Sequence, residues 1–216
     1  MQFKDRIDAG KQLAQELKVY KNDPEAITIA LPRGGVVIGF EISKALNLPL
    51  DIVVPRKIGA PGNEEFAIGA VAEDGEPMLN EEVVKLYNIS KKYIDETIEK
   101  EKKEAQRRLK TYRGDRQPLD LKNKTAIIVD DGIATGATMI AAIHSTKAKG
   151  ASKIVVAVPV GAPDSVEKVR ALVDEVVCMD TPAFFGAVGA FYEVFPQTTD
   201  EEVIGMLKNS KSSEKS

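Results

Sequence analysis

The sequence predicts an α/β fold: a parallel twisted sheet with helices on both faces. Two observations carry this. Short apolar runs such as AITIA (26–30), LDIVV (50–54) and TAIIV (125–129) are nearly continuous rather than alternating, as strands buried on both faces must be. Each is followed by a turn of proline, glycine or small residues that leads into further structure, most often a helix, which is the rhythm of an open parallel sheet.

The elements follow in order. Phe3, Ile7, Leu13, Ala14 and Leu17 recur at helical spacing and predict an amphipathic helix over residues 3 to about 18. Residues 26–31 form a strand stopped by Pro32, residues 36–46 a helix, and residues 50–54 a strand stopped by Pro55. Residues 67–72 read as a third strand after a Gly/Pro loop. From 80 to about 112 Glu and Lys dominate, with Leu86, Ile94, Ile98, Ala105, Leu109 and Tyr112 near helical spacing. This is a helical insertion of one long helix or two, laid on the body by a narrow stripe. The sheet pattern resumes with a strand at 125–129, a helix at 137–149 that Gly150 can end, and a strand at 153–160. A helix at 163–172 with Pro163 in its first turn and a strand at 175–179 follow. Residues 1–206 read as a single domain, with the polar stretch 207–216 as a disordered tail.

Composition removes several functions. Lys+Arg 30 against Asp+Glu 33 leaves a net charge of −3, so no nucleic-acid partner is expected. One cysteine, Cys178, excludes an intramolecular disulfide and a cysteine-cluster metal site. No run approaches the ~20 apolar residues of a membrane span, and the charged beginning lacks an apolar signal core, which predicts a cytoplasmic protein without membrane contact. His144 stands mid-helix with no second histidine, and reads as a packing or surface residue rather than a triad member.

The chemistry concentrates at Ile127-Ile128-Val129-Asp130-Asp131-Gly132-Ile133-Ala134-Thr135-Gly136-Ala137-Thr138. An apolar strand ends in two adjacent carboxylates at the edge where open α/β sheets hold ligands. A turn of small residues then opens a helix, whose first N–H groups and dipole suit an anion, with Thr135 and Thr138 adding hydroxyl donors. Adjacent acids beside a phosphate cradle suit a sugar phosphate, the carboxylates accepting from vicinal hydroxyls. A Walker A loop is excluded by the lack of lysine between Asp131 and Ile140, and a dinucleotide fingerprint by the presence of only Gly132 and Gly136.

The stretch IIVDDGIATGAT resembles the phosphoribosyl-pyrophosphate (PRPP) motif of the type I phosphoribosyltransferases, with Ala137 where a second glycine often stands. Leu31-Pro32-Arg33-Gly34-Gly35-Val36 resembles the pyrophosphate loop of that family, where a non-proline cis peptide is often found. Pro55-Arg56-Lys57-Ile58-Gly59 resembles the Arg-Lys pair of the adenine and orotate enzymes. Over residues 26 to about 180 the wording is close to a group of predicted phosphoribosyltransferases. The resemblance implies the type I phosphoribosyltransferase fold with a small C-terminal hood, about 181–200. It implies transfer of 5-phosphoribosyl from PRPP to a nitrogen acceptor, a nucleobase or related compound, with release of pyrophosphate. The expected PRPP-binding set is Arg33, Gly34, Gly35, Arg56, Lys57 and residues 130–138. Asp130 and Asp131 are the expected catalytic pair, and also hold Mg²⁺ indirectly, through substrate or water. A homo-oligomer is open.

Such enzymes commonly carry a lid, for which residues 112–121 with Arg113 and Arg116 are the candidate, solvated linker being the other reading. The aromatic set Phe184, Phe185, Phe191, Tyr192 and Phe195 is either a hood that stacks a base or a minor second core or dimer contact. A non-catalytic PRPP-binding sensor is the alternative function, and a sugar-phosphate hydrolase a weaker third.

Overall fold

The computed structural model describes residues 1–72, 76–118 and 120–210, with Glu65 described by its backbone alone. Helix α1 (Arg6–Glu16) precedes strand β1 (Ala26–Ala30), helix α2 (Gly34–Leu46) and strand β2 (Leu50–Ile52). Strands β3 (Arg56–Ala60), β4 (Asn63–Val71) and β5 (Met78–Leu79) lead to helices α3 (Glu81–Leu86) and α4 (Lys91–Arg113). Then come β6 (Thr125–Val129), α5 (Ala137–Ala148), β7 (Lys153–Val160), α6 (Pro163–Arg170), β8 (Glu175–Asp180) and α7 (Asp200–Asn209).

Strands β2-β1-β6-β7-β8 form one parallel sheet in that order. All five residues of β1 are buried, which is why its sequence shows no alternation. One face is covered by α1, α2 and α7, where Leu13, Leu17, Ile38, Ile42, Val203 and Leu207 join Ile127 and Val129. Ile27, Ile29, Ile128 and Val156 of the other face pack against Met139 and Ile143 of α5 and Val169 of α6.

The chain reverses direction at the centre. From β1 it steps outward to β2, then returns through the insertion to β6 on the other side of β1 and continues to β7 and β8. A switch point of this kind leaves a crevice at the carboxyl ends of the two central strands. Here those ends are in register, Ala30 beside Val129.

Several expectations change or sharpen. The strand expected over 67–72 belongs to β4, and it is antiparallel: β3, β4 and β5 make a separate three-stranded sheet. Its apolar face, Ile58, Ile68 and Val71, packs on Ile94 and Ile98 of α4, a third small core. The insertion is two helices, because Asn80 caps α3 and Ser90 caps α4. Helix α1 begins at Arg6, since Asp5 caps it and Phe3 instead pairs as a β-bridge with Tyr192. Residues 207–209, expected in the tail, end α7: a capping box between Thr199 and Glu202 starts that helix and Leu207 is 1 % exposed in the core. Residues 211–216 of the tail lie outside the described residues, as do Leu119 of the candidate lid and residues 73–75.

Candidate functional site

Asp130 and Asp131 leave the carboxyl end of β6 at the switch point, beside the loop that leaves β1. That loop carries a cis peptide between Pro32 and Arg33, as the resemblance implies. The approach of the two loops is close enough to explain both glycines. A Cβ built on Gly34 would lie 2.0 Å from Asp131 Oδ2, and one on Gly35 would lie 2.9 Å from both Asp130 Oδ1 and the Val129 carbonyl oxygen. No other residue fits at either position without moving the acids. The glycines after Arg33 thus lie against the two acids, while the Arg33 side chain itself reaches toward Asp200.

Burial pushes the Asp130 carboxyl well above the ordinary range for aspartate, and the neighbouring Asp131 charge adds to it. Burial raises Asp131 as well, but there it is opposed by the Arg6 guanidinium, whose Nε donates to Asp131 Oδ2 at 2.8 Å. The Tyr192 hydroxyl donates to the Asp131 carbonyl oxygen at 2.7 Å.

The cradle lies between β6 and α5. Gly136 is the N-cap of α5 at φ +80 and offers no side chain to cap the helix; the Ala137 N–H makes a long 3.5 Å contact to Thr135 Oγ1, and a helix N-terminus of this kind suits an anion. Ala134 and Thr135 are exposed, and Ala137 and Thr138 half-buried. Ile133 is a correction to the expected binding set. Its N–H donates to the Val160 carbonyl oxygen at 2.9 Å, its carbonyl oxygen accepts from Ala162, and its side chain is 2 % exposed. Ile133 anchors the cradle to the β7–α6 connection and has no donor left for a ligand. Gly132 is likewise shaped by packing, a Cβ there meeting Val188 at 2.7 Å.

Arg33 Nη1 lies 3.5 Å from Asp200 Oδ1 at the start of α7, and the Tyr112 hydroxyl donates to the same oxygen at 2.8 Å. Arg56 and Lys57 open β3 just beyond the carboxyl end of β2. The Arg56 guanidinium turns to Glu101 of α4, its Nε 2.8 Å from Oε2, so it is held by the insertion rather than directed at the two aspartates. Both residues line a cavity of about 440 Å³ between the small sheet and α4, together with Glu64, Tyr93, Glu96 and Lys100. No residue of the cradle or of the Arg33 loop lines it.

The two arginines of the candidate lid are held by the body of the domain in this structure. Arg113 ends α4 and meets Asp51 of β2 with both a 3.1 Å contact from Nε and 3.0 Å contacts from Nη2, the two side chains being 11 % and 9 % exposed. Arg116 donates to the Leu207 and Leu50 carbonyl oxygens. Both arginines staple the insertion and α7 to the edge of the sheet, and neither reaches for a ligand.

The aromatic set divides. Tyr192 is 5 % exposed in the main core against Phe3, so it stacks no base. Phe185 stacks on the half-buried Phe191 with centroids 5.4 Å apart, and Phe184 is 95 % exposed. Cys178 is pushed up to about 11 by burial, which suits a packing residue and not a nucleophile. His144 is half-buried on α5, as expected of a packing residue.

Arg6 and Asp200 were not found from the sequence. Arg6 had a signal: it shares the apolar stripe of α1 with Ala9, Leu13 and Leu17, where a charge needs a buried partner. Asp200 offered none, being an ordinary first-turn acid of a capped helix.

Comparison with known proteins agrees with this geometry. The family model described as phosphoribosyl transferase domain matches residues 2–193. A Mycobacterium tuberculosis protein, named provisionally as a phosphoribosyl transferase, is 46 % identical over 205 residues, 95 % of this chain and 46 % of that protein. The chain therefore spans about half the length of the curated relatives it matches. The crystal structure of the TT1426 protein of Thermus thermophilus superposes with a TM-score of 0.83 at 39 % identity, covering 98 % of this chain and 100 % of that one. The AQ2163 protein of Aquifex aeolicus shares the fold alone, with a TM-score of 0.52 at 14 % identity over 83 % of this chain and 74 % of that one. Among the described residues no helix is long and apolar enough to cross a membrane.

Proposed function

We propose, for a chain that belongs to the phosphoribosyl transferase domain family, that the switch-point site takes PRPP and transfers its 5-phosphoribosyl group to a nitrogen of a nucleobase-type acceptor. The observation that carries this reading is the contact of the Gly34–Gly35 loop with Asp130 and Asp131, a short turn away from an uncapped helix N-terminus. On this reading a phosphate subsite, an acid pair and an arginine loop follow one another in the order that 5′-phosphate, ribose and pyrophosphate occur in PRPP.

Each group has a distinct task. The α5 N-terminus, Thr135 and Thr138 bind the 5′-phosphate. Asp130 and Asp131 accept from the ribose hydroxyls, and their charge favours the positive charge that develops on the ring as the anomeric C–O bond breaks. Arg33 holds the departing pyrophosphate, exchanging its exposed partner Asp200 for the ligand; an ion pair as open as this one is worth at most about 1 kcal/mol. Phe184 and Phe185 are the hood positions left to face an acceptor. Holding the reactants in line supplies much of the rate, so no general-base histidine is needed.

Among the described residues no group of three or more His, Cys, Asp or Glu could hold a metal ion by itself. A pair of carboxylates is nevertheless what Mg²⁺ uses when phosphate oxygens and waters complete its shell. Asp130 and Asp131 fit a Mg²⁺ that arrives on PRPP, held through ribose oxygens or water. When bound, the ion would neutralise the pyrophosphate as it leaves.

The test is PRPP-dependent release of pyrophosphate across a panel of purine and pyrimidine bases. Release with one acceptor class supports transfer. Tight PRPP binding without release for any acceptor would instead favour a sensor.

The cradle can be tested separately. A valine at Gly136 must adopt φ +80, which costs about 1–3 kcal/mol of stability, although the nearest non-neighbouring atom to its Cβ, Ser165 Cβ, is an ordinary 3.6 Å away. Its branches would press toward Ser165 and Ile133 and so shift the turn that sets the first-turn N–H groups. Gly136→Val is expected to lose more PRPP affinity than stability in a calorimetric titration of the folded variant. Unchanged affinity would put the phosphate elsewhere.

A further inference from the structure

We infer that Arg6 is a positioning residue that fixes the orientation of Asp131, clamping one carboxylate oxygen so that the other is presented to the ribose. The inference rests on the phosphoribosyl reading and adds a residue far from every motif that suggested it. Arg6 lies 125 positions before Asp131, on helix α1 rather than in the loop after β6, and yet its Nε donates to Asp131 Oδ2 at 2.8 Å.

The guanidinium is itself held from three sides. Its Nη1 donates to the Pro196 carbonyl oxygen at 2.7 Å, and its central carbon sits 3.7 Å from the centroid of the Phe195 ring. The side chain is 10 % exposed, and that of Asp131 16 %. Planar stacking with divergent N–H donors is a geometry that arginine offers and lysine does not. The platform is rigid because the two ends of the domain are sewn together there. Phe3 N–H donates to the Phe191 carbonyl oxygen at 2.8 Å, and Glu193 and Val194 N–H groups donate to the Phe3 and Lys4 carbonyl oxygens at 2.9 Å. The Tyr192 hydroxyl holds the Asp131 backbone from the same strap.

The clamp has a purpose that packing alone does not. Two adjacent acids in a crevice repel each other, and the free one would rotate away from its neighbour and from the substrate. Arg6 prevents this through a hydrogen bond to Oδ2, on one side of the Asp131 carboxylate. The same strap leads back to Phe191, on which Phe185 stacks.

The test is calorimetric titration of folded Arg6→Gln with PRPP, ribose 5-phosphate and pyrophosphate, Mg²⁺ present throughout. The dissociation constants for PRPP and ribose 5-phosphate are expected to rise about tenfold or more, the scale of one charge-assisted hydrogen bond. Pyrophosphate, assigned in this reading to the Arg33 loop and not to the ribose acids, is expected to lose far less affinity than ribose 5-phosphate. Arg6→Lys should recover part of the loss, and Arg6→Gln should add little once Asp131→Asn is in place. If Arg6→Gln fails to fold, Phe195→Leu removes the stacking face while keeping the charge, and should weaken ribose 5-phosphate several-fold, again with far less effect on pyrophosphate. Equal losses for all three ligands, or none for ribose 5-phosphate, would overturn the inference. A parent that binds neither PRPP nor ribose 5-phosphate would overturn the phosphoribosyl reading, and the inference with it, whereas a parent that binds both beside an indifferent Arg6→Gln sinks the inference alone.

Discussion

Asparagine at Asp130 is expected to raise the melting temperature of the unliganded protein and to remove most of the stabilisation that Mg²⁺·PRPP confers. The two effects share one cause. Asp130 is half-buried beside a second acid, and both desolvation and that neighbour raise its carboxyl above the ordinary aspartate value of 3.8. A carboxyl raised on folding binds more protons in the native state than in the unfolded one, across the window between its two values. Stability from this residue is therefore intact below the ordinary value and is lost as the pH rises through the folded value. At neutral pH the charge is a liability that asparagine removes, and each kcal/mol recovered is worth about 2–4 °C in a domain of this size. The gain should shrink as the pH falls toward 3.8. The same charge is what favours the cationic ring, so turnover should fall by about 10²–10³, the scale of one preorganised electrostatic group. Scanning calorimetry across pH, with and without Mg²⁺·PRPP, reads the stability half, and a pyrophosphate-release assay reads the turnover half. A variant less stable than the parent at neutral pH, or one with an undiminished ligand shift, would contradict the assignment.

Arg113→Ala should destabilise the protein by about 3–5 kcal/mol, the usual result of breaking a buried ion pair from one side. Asp51 lies on the edge strand β2 and is 6 % exposed, and the substitution leaves its carboxylate there without its arginine. Natural domains have only about 5–15 kcal/mol in hand. The lid reading makes the opposite prediction, a loss of turnover with stability intact. Denaturant titration followed by a PRPP-binding assay on the folded fraction separates them. An unchanged unfolding midpoint with impaired catalysis would reinstate Arg113 as a mobile ligand group.

The parts of the fold that could be read from the sequence were those that local chemistry dictates. The continuous apolar strands, their turns and the acid pair followed by small residues all encode structure within a dozen positions. The Asp131–Gly34 approach was legible too, because strand order in a parallel sheet brings successive carboxyl ends to one edge. What could not be read depends on partners remote in the chain. β4 looked like another parallel strand because its apolar residues face a small core made by α4, and period alone does not identify that cover. Arg113 and Arg116 looked mobile because a polar loop and a stapled one have the same composition. Tyr192 looked like a hood residue until its place beside Phe3 was known, and the bridge between them joins positions 189 apart. Arg6 is the instructive case. Its place on an apolar stripe marked it as paired, but not with what.

The most direct test of the account is a crystal structure of the protein soaked with Mg²⁺·PRPP, or with ribose 5-phosphate if turnover consumes the substrate. The 5′-phosphate should sit on the first-turn N–H groups of α5 between Thr135 and Thr138, with the ribose hydroxyls on Asp130 and Asp131. The pyrophosphate should lie along the Arg33–Gly34–Gly35 loop, with Arg33 released from Asp200. A ligand found instead in the 440 Å³ cavity beside Arg56, Lys57 and Lys100, with the α5 N-terminus bare, would contradict it.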